Sequence, residues 1–166
     1  IAEDLGSVTD KVIQLRDTTG FPGMKVLQFA FDPEGDSIEL PHNHTNNVVA
    51  YTGTHDNHTI KGWYEEEMGD EARDFLDLYS NRKPDESVNQ AMLRLLFSSV
   101  AFMAIVTMQD LLDLGDEARM NLPNTVGGNW IWRMTKDQLT PQVEETLLDL
   151  TTTYRRTNKK LVEKKH

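Results

Sequence analysis

Short apolar runs alternate with amphipathic stretches along the chain. The run at residues 48–52 ends in Gly53, Thr54, His55, Asp56 and Asn57, and similar runs occupy residues 25–31 and 103–108. A strand covered on both faces has this continuous apolar character, so each run predicts a buried strand. The run at 103–108 is equally compatible with a buried helix, because a run this short does not reveal its period.

The stretches between these runs predict helices. Ser and Thr are frequent helix caps and Pro favours the first helical position, which marks several starts. The expected helices run from Ser7 or Thr9 to about Arg16, over 60–68 and 70–79, from Ser87 to Ser98, and from Thr140 through a long C-terminal helix with lysines at its far end. Alternating strands and helices indicate an α/β fold with parallel strands. A closed (β/α)8 barrel takes about 250 residues, so 166 residues hold only part of one.

Charge and composition narrow the function. The chain has 17 Lys and Arg against 27 Asp and Glu, a formal net charge of −10, which argues against nucleic-acid binding and disfavours an anionic membrane surface. It has no cysteine, no signal peptide and no apolar run of the roughly 20 residues that span a membrane, so we expect a cytoplasmic protein. The first residue, Ile1, lies at an apparent strand end, and we therefore expect a fragment of a longer protein.

Acidic residues follow three strand-like stretches. Glu3 (with Asp4), Asp32 and Asp56 occupy equivalent places, and parallel strands would bring them to one rim of a barrel. Paired carboxyls suit glycosidic-bond chemistry, and like charge raises the pKa of one of them so that it can act as an acid. The alternative stays open that Asp56 or Asn57 only caps the next helix.

Two further residue classes suggest binding sites. The aromatic side chains could form platforms for sugar rings or pack in the core: Trp63, Trp130, Trp132, Tyr51 and Tyr64. Four histidines suggest a metal-dependent hydrolase, at positions His42, His44, His55 and His58. No two of these histidines have the i, i+4 spacing of a helical metal site, and the acidic balance disfavours a nuclease.

Seven segments together resemble one known family. They read IAEDLG (1–6), GFPGMKVLQFAF (20–31), LPHN (40–43), YTGTHDN (51–57), QDLL (109–112), ARMN (118–121) and GNWIWR (128–133). In this order they closely resemble the 4-alpha-glucanotransferases, the amylomaltase or disproportionating-enzyme family of glycoside hydrolases. The sequence departs from the family at Pro123-Asn124-Thr125, where Pro-Gly-Thr is expected, which affects the loop beside the acceptor site.

The resemblance implies a fold and a set of roles. The chain would be the C-terminal portion of the catalytic barrel, a single unit over 1–166 that runs from the end of the fifth strand through the eighth. Glu3 matches the acid/base, Asp56 the transition-state stabiliser and His55 a residue that hydrogen-bonds the sugar. Asp32 and Asn121 match substrate-contacting positions. The nucleophilic Asp would lie upstream of Glu3, outside this chain.

The implied reaction is a retaining double displacement on maltodextrins or other alpha-1,4-glucans, which serve as donor and acceptor, without a metal or an organic cofactor. The chain by itself would lack activity, because the reaction needs both carboxyls. Its exposed strand edges would favour self-association. Two alternatives remain: a non-enzymatic module that binds glucan or itself, and a metal-dependent hydrolase that uses His55 and Asp56.

Overall fold

The structure, a computed structural model that describes residues 1–6 and 8–157, contains a three-stranded parallel sheet within those residues. Its strands are β1 (Gly23–Val26), β2 (Val48–Tyr51) and β3 (Met103–Ile105), in the order β1-β2-β3. Both neighbouring pairs are parallel, which confirms the α/β arrangement predicted from the apolar runs.

The strands share a register at their carboxyl ends. Val26 lies opposite Tyr51, and Tyr51 lies opposite Ile105. The segments that follow the three strands therefore leave from one edge of the sheet, where parallel α/β folds build their sites.

Helices connect and follow the strands. They are α1 (Asp10–Thr19), α2 (Ile60–Gly62), α3 (Asp70–Ser80), α4 (Val88–Ser98), α5 (Met108–Leu111) and α6 (Pro141–Thr153). The predicted start of α4 is confirmed: the Ser87 side chain accepts a hydrogen bond from the Gln90 amide, and the Gln90 side chain accepts one from the Ser87 amide. This reciprocal pair satisfies two amides that the helix itself leaves without acceptors.

Two predicted strands are shorter in the structure than in the sequence pattern. The run at 25–31 leaves the sheet at Val26, because the amide of Val26 bonds to the Glu39 carboxylate at 2.7 Å and residues 27–29 form a 3₁₀ turn. The run at 103–108 ends at Ile105, since Thr107 caps α5 by accepting from the amide of Asp110. Apolar character marked burial for 25–31 except at Phe29, which is exposed, and it did not mark the strand end.

The helical prediction over 60–68 is confirmed through Glu67, although only Ile60–Gly62 is α-helical and Trp63–Glu67 continues as a π-helix. The predicted strand end at Ile1 was wrong. Ile1 and Ala2 do not lie in a strand, and the amide of Ala2 bonds instead to the carbonyl of Pro22 at 2.9 Å. Hydrophobic periodicity does not distinguish a π-helix of five residues from an α-helix, because the segment is shorter than two turns of either.

The core contains buried side chains of the sheet and of the helices α3 and α4, which contact each other. Strand β2 is central, and its Val49 and Ala50 are fully buried, while Leu76, Met92 and Leu96 are fully buried on α3 and α4. In contrast, the edge strand β3 leaves Met103 and Ile105 partly exposed.

The chain divides into two compact units, Ile1–Trp132 and Arg133–His166. In the second, Thr140 caps α6 and Pro141 occupies its first turn, as predicted. The lysines expected near the end of this helix lie outside the described residues. Along 1–6 and 8–157, no helix has both the length and the apolar character needed to cross a bilayer.

Candidate active site

The loop after β2 is fixed at both ends by one buried carboxylate. The Thr52 hydroxyl donates to Asp110 Oδ2 at 2.6 Å, and the amide of Ile60 donates to Asp110 Oδ1 at 2.8 Å. Burial raises the pKa of Asp110, and these hydrogen bonds oppose that shift by stabilising the ionised form. The seven residues 53–59 are thus held at a fixed span, with His55 and Asp56 near the middle.

The interior of this loop is also constrained. Asn57 Oδ1 accepts from both the amide and the hydroxyl of Thr54 at 2.8 Å. The following helix is capped by Thr59, whose hydroxyl accepts from the amide of Gly62. The capping role that the sequence left open for Asp56 or Asn57 therefore belongs to Thr59.

His55 and Asp56 project from the loop with side chains 55% and 49% exposed, and His55 Nε2 lies 3.3 Å from Asp56 Oδ2. The Trp130 ring centroid lies 5.1 Å from that of His55. Asn121 Nδ2 donates to Asp56 Oδ1 at 2.6 Å, and Arg119 Nη2 donates to the Asp56 carbonyl at 2.8 Å. Asp56 is thus accessible to a ligand and held through both its carboxylate and its backbone.

Glu3 and Asp4, adjacent in sequence, have different environments. The Asp4 side chain is only 7% exposed; it pairs with Arg16 at 2.6 Å and accepts from the amide of Met24 at 2.7 Å. Asp4 thereby attaches the N-terminal segment to β1 and α1. Glu3 is exposed and accepts one local bond, from the amide of Leu5 at 3.0 Å. Asp4 is therefore an anchor, and Glu3 is the carboxyl available for chemistry.

An open cavity of about 1410 Å³ brings these side chains together. Glu3, His55 and Asp56 all line it, together with Tyr51 and Thr54. Of the sequence-predicted site residues, Asn121 reaches this site through its bond to Asp56, whereas Asp32 does not line the cavity. Asp32 is exposed and accepts from the amide of Glu34 in a turn of its own loop.

A second charged pair forms part of the cavity wall. Lys25 Nζ lies 2.9 Å from Glu39 Oε1, and both residues line the cavity. His44 Nε2 lies 2.9 Å from the Glu39 carbonyl, and burial lowers the pKa of His44, which favours the neutral ring. The pair neutralises the charge of Lys25 beside the cavity.

The four histidines considered as metal ligands have separate neighbours. His42 contacts Tyr79, His44 contacts Glu39, His55 contacts Asp56, and His58 contacts Asp116 and Glu67. Within the described ranges, no group of three or more His, Cys, Asp or Glu side chains could hold a metal ion.

The aromatic side chains separate into two classes. Trp63 is 8% exposed and packs against Phe31 in the core, and Tyr64 lies beneath the guanidinium groups of two arginines, Arg73 and Arg82. Of the predicted platforms, Tyr51 lines the cavity and Trp130 lies beside His55; Phe29, which the sequence reasoning did not select, also lines the cavity.

Sequence reasoning missed the residues that support the site. Asp110 and Arg119 were noted only as parts of short motifs, yet they bind a loop that lies 50 to 63 residues away along the chain. Hydrophobic patterning carries no signal for such pairs, because they depend on the register of β2 and β3. For Asp110 the available signal was its place just after the apolar run at 103–108, and Arg119 had no such signal.

The chain is similar to proteins of one enzyme family along most of its length. A family model described as 4-alpha-glucanotransferase matches residues 1–140. A 4-alpha-glucanotransferase of Streptococcus pneumoniae is 64% identical over 165 residues, which is 99% of this chain and 33% of that protein. A chloroplastic/amyloplastic 4-alpha-glucanotransferase of Solanum tuberosum is 45% identical over 160 residues, covering 94% of this chain and 27% of that protein.

A solved structure is also similar. The amylomaltase from Streptococcus agalactiae in complex with acarbose superposes with a TM-score of 0.91 at 46% identity, covering 95% of this chain and 32% of that one. The chain thus spans about a third of the length of the relatives it matches.

Proposed function

The chain belongs to the 4-alpha-glucanotransferase family, and on that premise we propose that it supplies the acid/base and the stabilising carboxylate of an enzyme that transfers alpha-1,4-glucan chains between maltodextrins. One observation carries the proposal. Glu3, His55 and Asp56 line a single cavity, although Glu3 lies more than fifty residues from the other two. Glycosidic-bond cleavage with retention needs an acid/base carboxyl and a nucleophilic carboxylate. In this proposal Glu3 is the first of these, and the second comes from outside this chain.

In this proposal β1, β2 and β3 are the sixth, seventh and eighth strands of a (β/α)8 barrel. The parallel register and the likeness to the Streptococcus agalactiae amylomaltase support this assignment. Glu3 then follows the fifth strand, and the residues after all four strands meet at the rim where barrel enzymes place their sites. The single catalytic unit over 1–166 is part of the same proposal.

Glu3 serves first as an acid and then as a base. It protonates the glycosidic oxygen of the departing glucan while a carboxylate from outside this chain attacks the sugar carbon. It then takes the proton from the 4-hydroxyl of an acceptor glucan, which attacks the glycosyl-enzyme and regenerates the nucleophile. Glu3 is exposed and lines the cavity, so its carboxyl is accessible to both the departing glucan and the acceptor.

Asp56 stabilises the positive charge that develops on the sugar ring. Its carboxylate accepts a bond from Asn121 and lies beside His55, so its position is set before substrate binds. His55 donates to a sugar hydroxyl in the cleaved subsite. Asn121 has a second role as a substrate contact, and Asp32 contacts a more distant part of the glucan chain.

The remaining features of the proposal concern partners. Maltodextrins serve as donor and acceptor in the cytoplasm, and the residues named here act without a metal or an organic cofactor. The chain by itself is inactive, and it self-associates through the edge strand β3, whose Met103 and Ile105 are partly exposed. Static light scattering on the isolated chain tests the last point, and a stable monomer would contradict it.

The function is tested by disproportionation of maltotriose, with glucose and longer maltodextrins separated by chromatography. The assay compares the full-length gene product with its Glu3→Gln and Asp56→Asn variants, and with Glu71→Gln as a control at an exposed carboxyl on α3. We expect Glu3→Gln to lower kcat by about 10²- to 10⁴-fold and Asp56→Asn by about 10²- to 10³-fold. Glu71→Gln should match the unmodified protein. Activity retained in Glu3→Gln would contradict the proposal, and glucan binding without turnover in the unmodified protein would favour a binding module.

A further inference from the structure

The segment after α5 runs beside the loop 53–59 and bonds to it at several points. Near one end, the Asp116 carboxylate accepts from the amide of Thr59 at 2.9 Å and from its hydroxyl at 3.2 Å. The same carboxylate pairs with the ring of His58. We call residues 116–121 the brace, because they contact the loop along its length.

The other end of the brace contacts Asp56 itself. Arg119 Nη2 donates to the Asp56 carbonyl at 2.8 Å, and Arg119 Nε donates to the Asn121 carbonyl at 3.0 Å. The Asn121 side chain in turn donates to Asp56 Oδ1 at 2.6 Å. The guanidinium group of Arg119 therefore sets the distance between the backbone at Asp56 and the backbone at Asn121, two residues whose side chains bond to each other.

The geometry of Arg119 suits this task. Its guanidinium is planar and carries its donors in a fixed fork, so two bonds made at once define a direction as well as a distance. The side chain is 13% exposed, which shields these bonds from water, and Nη1 lies 3.9 Å from Asp116 Oδ2 within the brace. By contrast, the Asp56 side chain is half exposed.

We propose that Arg119 is a positioning residue that fixes the Asp56 carboxylate relative to Glu3 across the cavity. The inference rests on the proposed function, because it takes Asp56 as the group that stabilises the transition state. Arg119 bonds to the backbone of Asp56 and acts through it. Removing the Arg119 side chain releases the loop from the brace, so the Asp56 carboxylate is displaced. Even a small displacement weakens its stabilisation of the transition state, because that stabilisation depends on precise placement of the charge.

The chain provides a matched control. Arg73 also bridges two backbone carbonyls, donating from Nε to Tyr64 at 2.7 Å and from Nη2 to Glu65 at 2.9 Å. Its side chain is likewise partly buried, and it does not line the cavity. Arg73→Ala thus removes the same kind of bridge at a place that the transfer reaction does not use.

The experiment uses the full-length gene product and the variants Arg119→Ala, Arg119→Lys and Arg73→Ala. For Arg119→Ala we expect kcat for maltotriose disproportionation to fall about 10- to 100-fold with KM within about twofold, because a displaced stabiliser affects the transition state more than substrate binding. Free guanidinium at millimolar concentration should restore part of kcat. Arg119→Lys should be intermediate, since an ammonium group reaches one carbonyl but cannot reproduce the fork. Arg73→Ala should keep the original kcat.

A second readout is independent of catalysis. Hydrogen exchange of the backbone amides at 54–59 should accelerate in Arg119→Ala and stay unchanged in Arg73→Ala. If the unmodified protein shows no glucan transfer, the proposed function fails, and faster exchange would still support Arg119 as the residue that holds the loop.

Three results would overturn the inference. The first is a kcat for Arg119→Ala equal to that of Arg73→Ala with unchanged exchange at 54–59. The second is a raised KM at constant kcat, which would make Arg119 a contributor to substrate binding alone. The third is failure of both Arg119 variants to fold, which would assign the side chain to general stability.

Discussion

Replacing Asp110 tests whether one carboxylate holds the loop that presents His55 and Asp56. Asp110→Ala removes the acceptor for the Ile60 amide and for the Thr52 hydroxyl, and both donors belong to residues that are fully buried. Asp110→Asn keeps the shape. Its carbonyl oxygen can accept from Ile60, and its amide can donate to Thr52, because a hydroxyl also accepts.

The size of each effect follows from these bonds. A buried donor left without an acceptor costs about 1 to 3 kcal/mol. The hydroxyl of Thr52 rotates and the fixed amide of Ile60 does not, so the Ile60 amide accounts for most of the loss. Burial of the Asp110 carboxylate carries a desolvation cost, which is the cause of its raised pKa. Removing the carboxylate removes this cost and offsets part of the loss in stability. We expect a loss of about 2 to 4 kcal/mol for Asp110→Ala and about 0 to 1 kcal/mol for Asp110→Asn.

The assay is urea unfolding of the full-length gene product at pH 7, together with hydrogen exchange at the Ile60 amide. Asp110→Ala should lower the unfolding midpoint and the protection of this amide, and Asp110→Asn should largely preserve both. Equal losses in the two variants would refute the reasoning, because it assigns the effect to the lost acceptor. The raised pKa of Asp110 means that the folded state binds more protons than the unfolded state. The free energy of unfolding of the unmodified protein, measured relative to that of Asp110→Asn, should therefore be largest below pH 3.8 and decline as the pH rises.

Three further predictions concern the walls of the site. Burial lowers the pKa of His44 below its ordinary value of 6.5, so the unfolded state binds more protons than the folded state. Stability should therefore fall as the pH drops below 6.5. His44→Gln should lack this dependence in thermal melts at several pH values. Gly53→Ala should destabilise by about 1 to 3 kcal/mol, since the new Cβ would lie 2.7 Å from Gln28 Nε2, whereas Gly69→Ala meets no atom within 4 Å; equal melting temperatures for these two variants would contradict this. Asp4→Asn should lower stability by about 1 to 3 kcal/mol because it weakens a buried ion pair with Arg16, and a melting temperature unchanged from that of the unmodified protein would show that Asp4 is not an anchor.

Much of the scaffold was predictable from local pattern. The run at 48–52 identified β2 because a central parallel strand is apolar on both faces, and Ser87 and Thr140 marked helix starts because their side chains accept from amides inside the first turn. Each of these patterns depends on a few neighbouring residues, so it can be recognised without knowledge of the rest of the fold.

The ends of the strands were less predictable. Strand β1 stops at Val26 because a carboxylate thirteen residues later accepts its amide, and the buried Gln28 then donates to the carbonyl of His58. Both partners lie in other segments. Apart from Gln28, residues 27–31 are apolar and continue the strand pattern, so the end of the strand depends on these tertiary hydrogen bonds.

The sequence predicted the carboxyl groups of the site but not the residues that hold them in place. Glu3 and Asp56 were identified by their places after strands and by family resemblance, and the structure brings them to one cavity. Asp4 has the same charge and an adjacent position, yet it is buried against Arg16. A place after a strand does not separate these two neighbouring acids, because their roles depend on which one meets Arg16. Only the family resemblance singled out Glu3.

The most direct test of the central claim is to ask where a glycosyl-enzyme forms when Glu3 is disabled. A maltotriosyl fluoride needs no protonation of its leaving group, so the full-length Glu3→Gln variant should release fluoride and accumulate a covalent glycosyl adduct, because no base activates the acceptor. Mass spectrometry of its peptides locates the adduct. We predict an adduct on a carboxylate outside residues 1–166. An adduct on Asp56, or rapid turnover without accumulation, would contradict the roles assigned to Glu3 and Asp56.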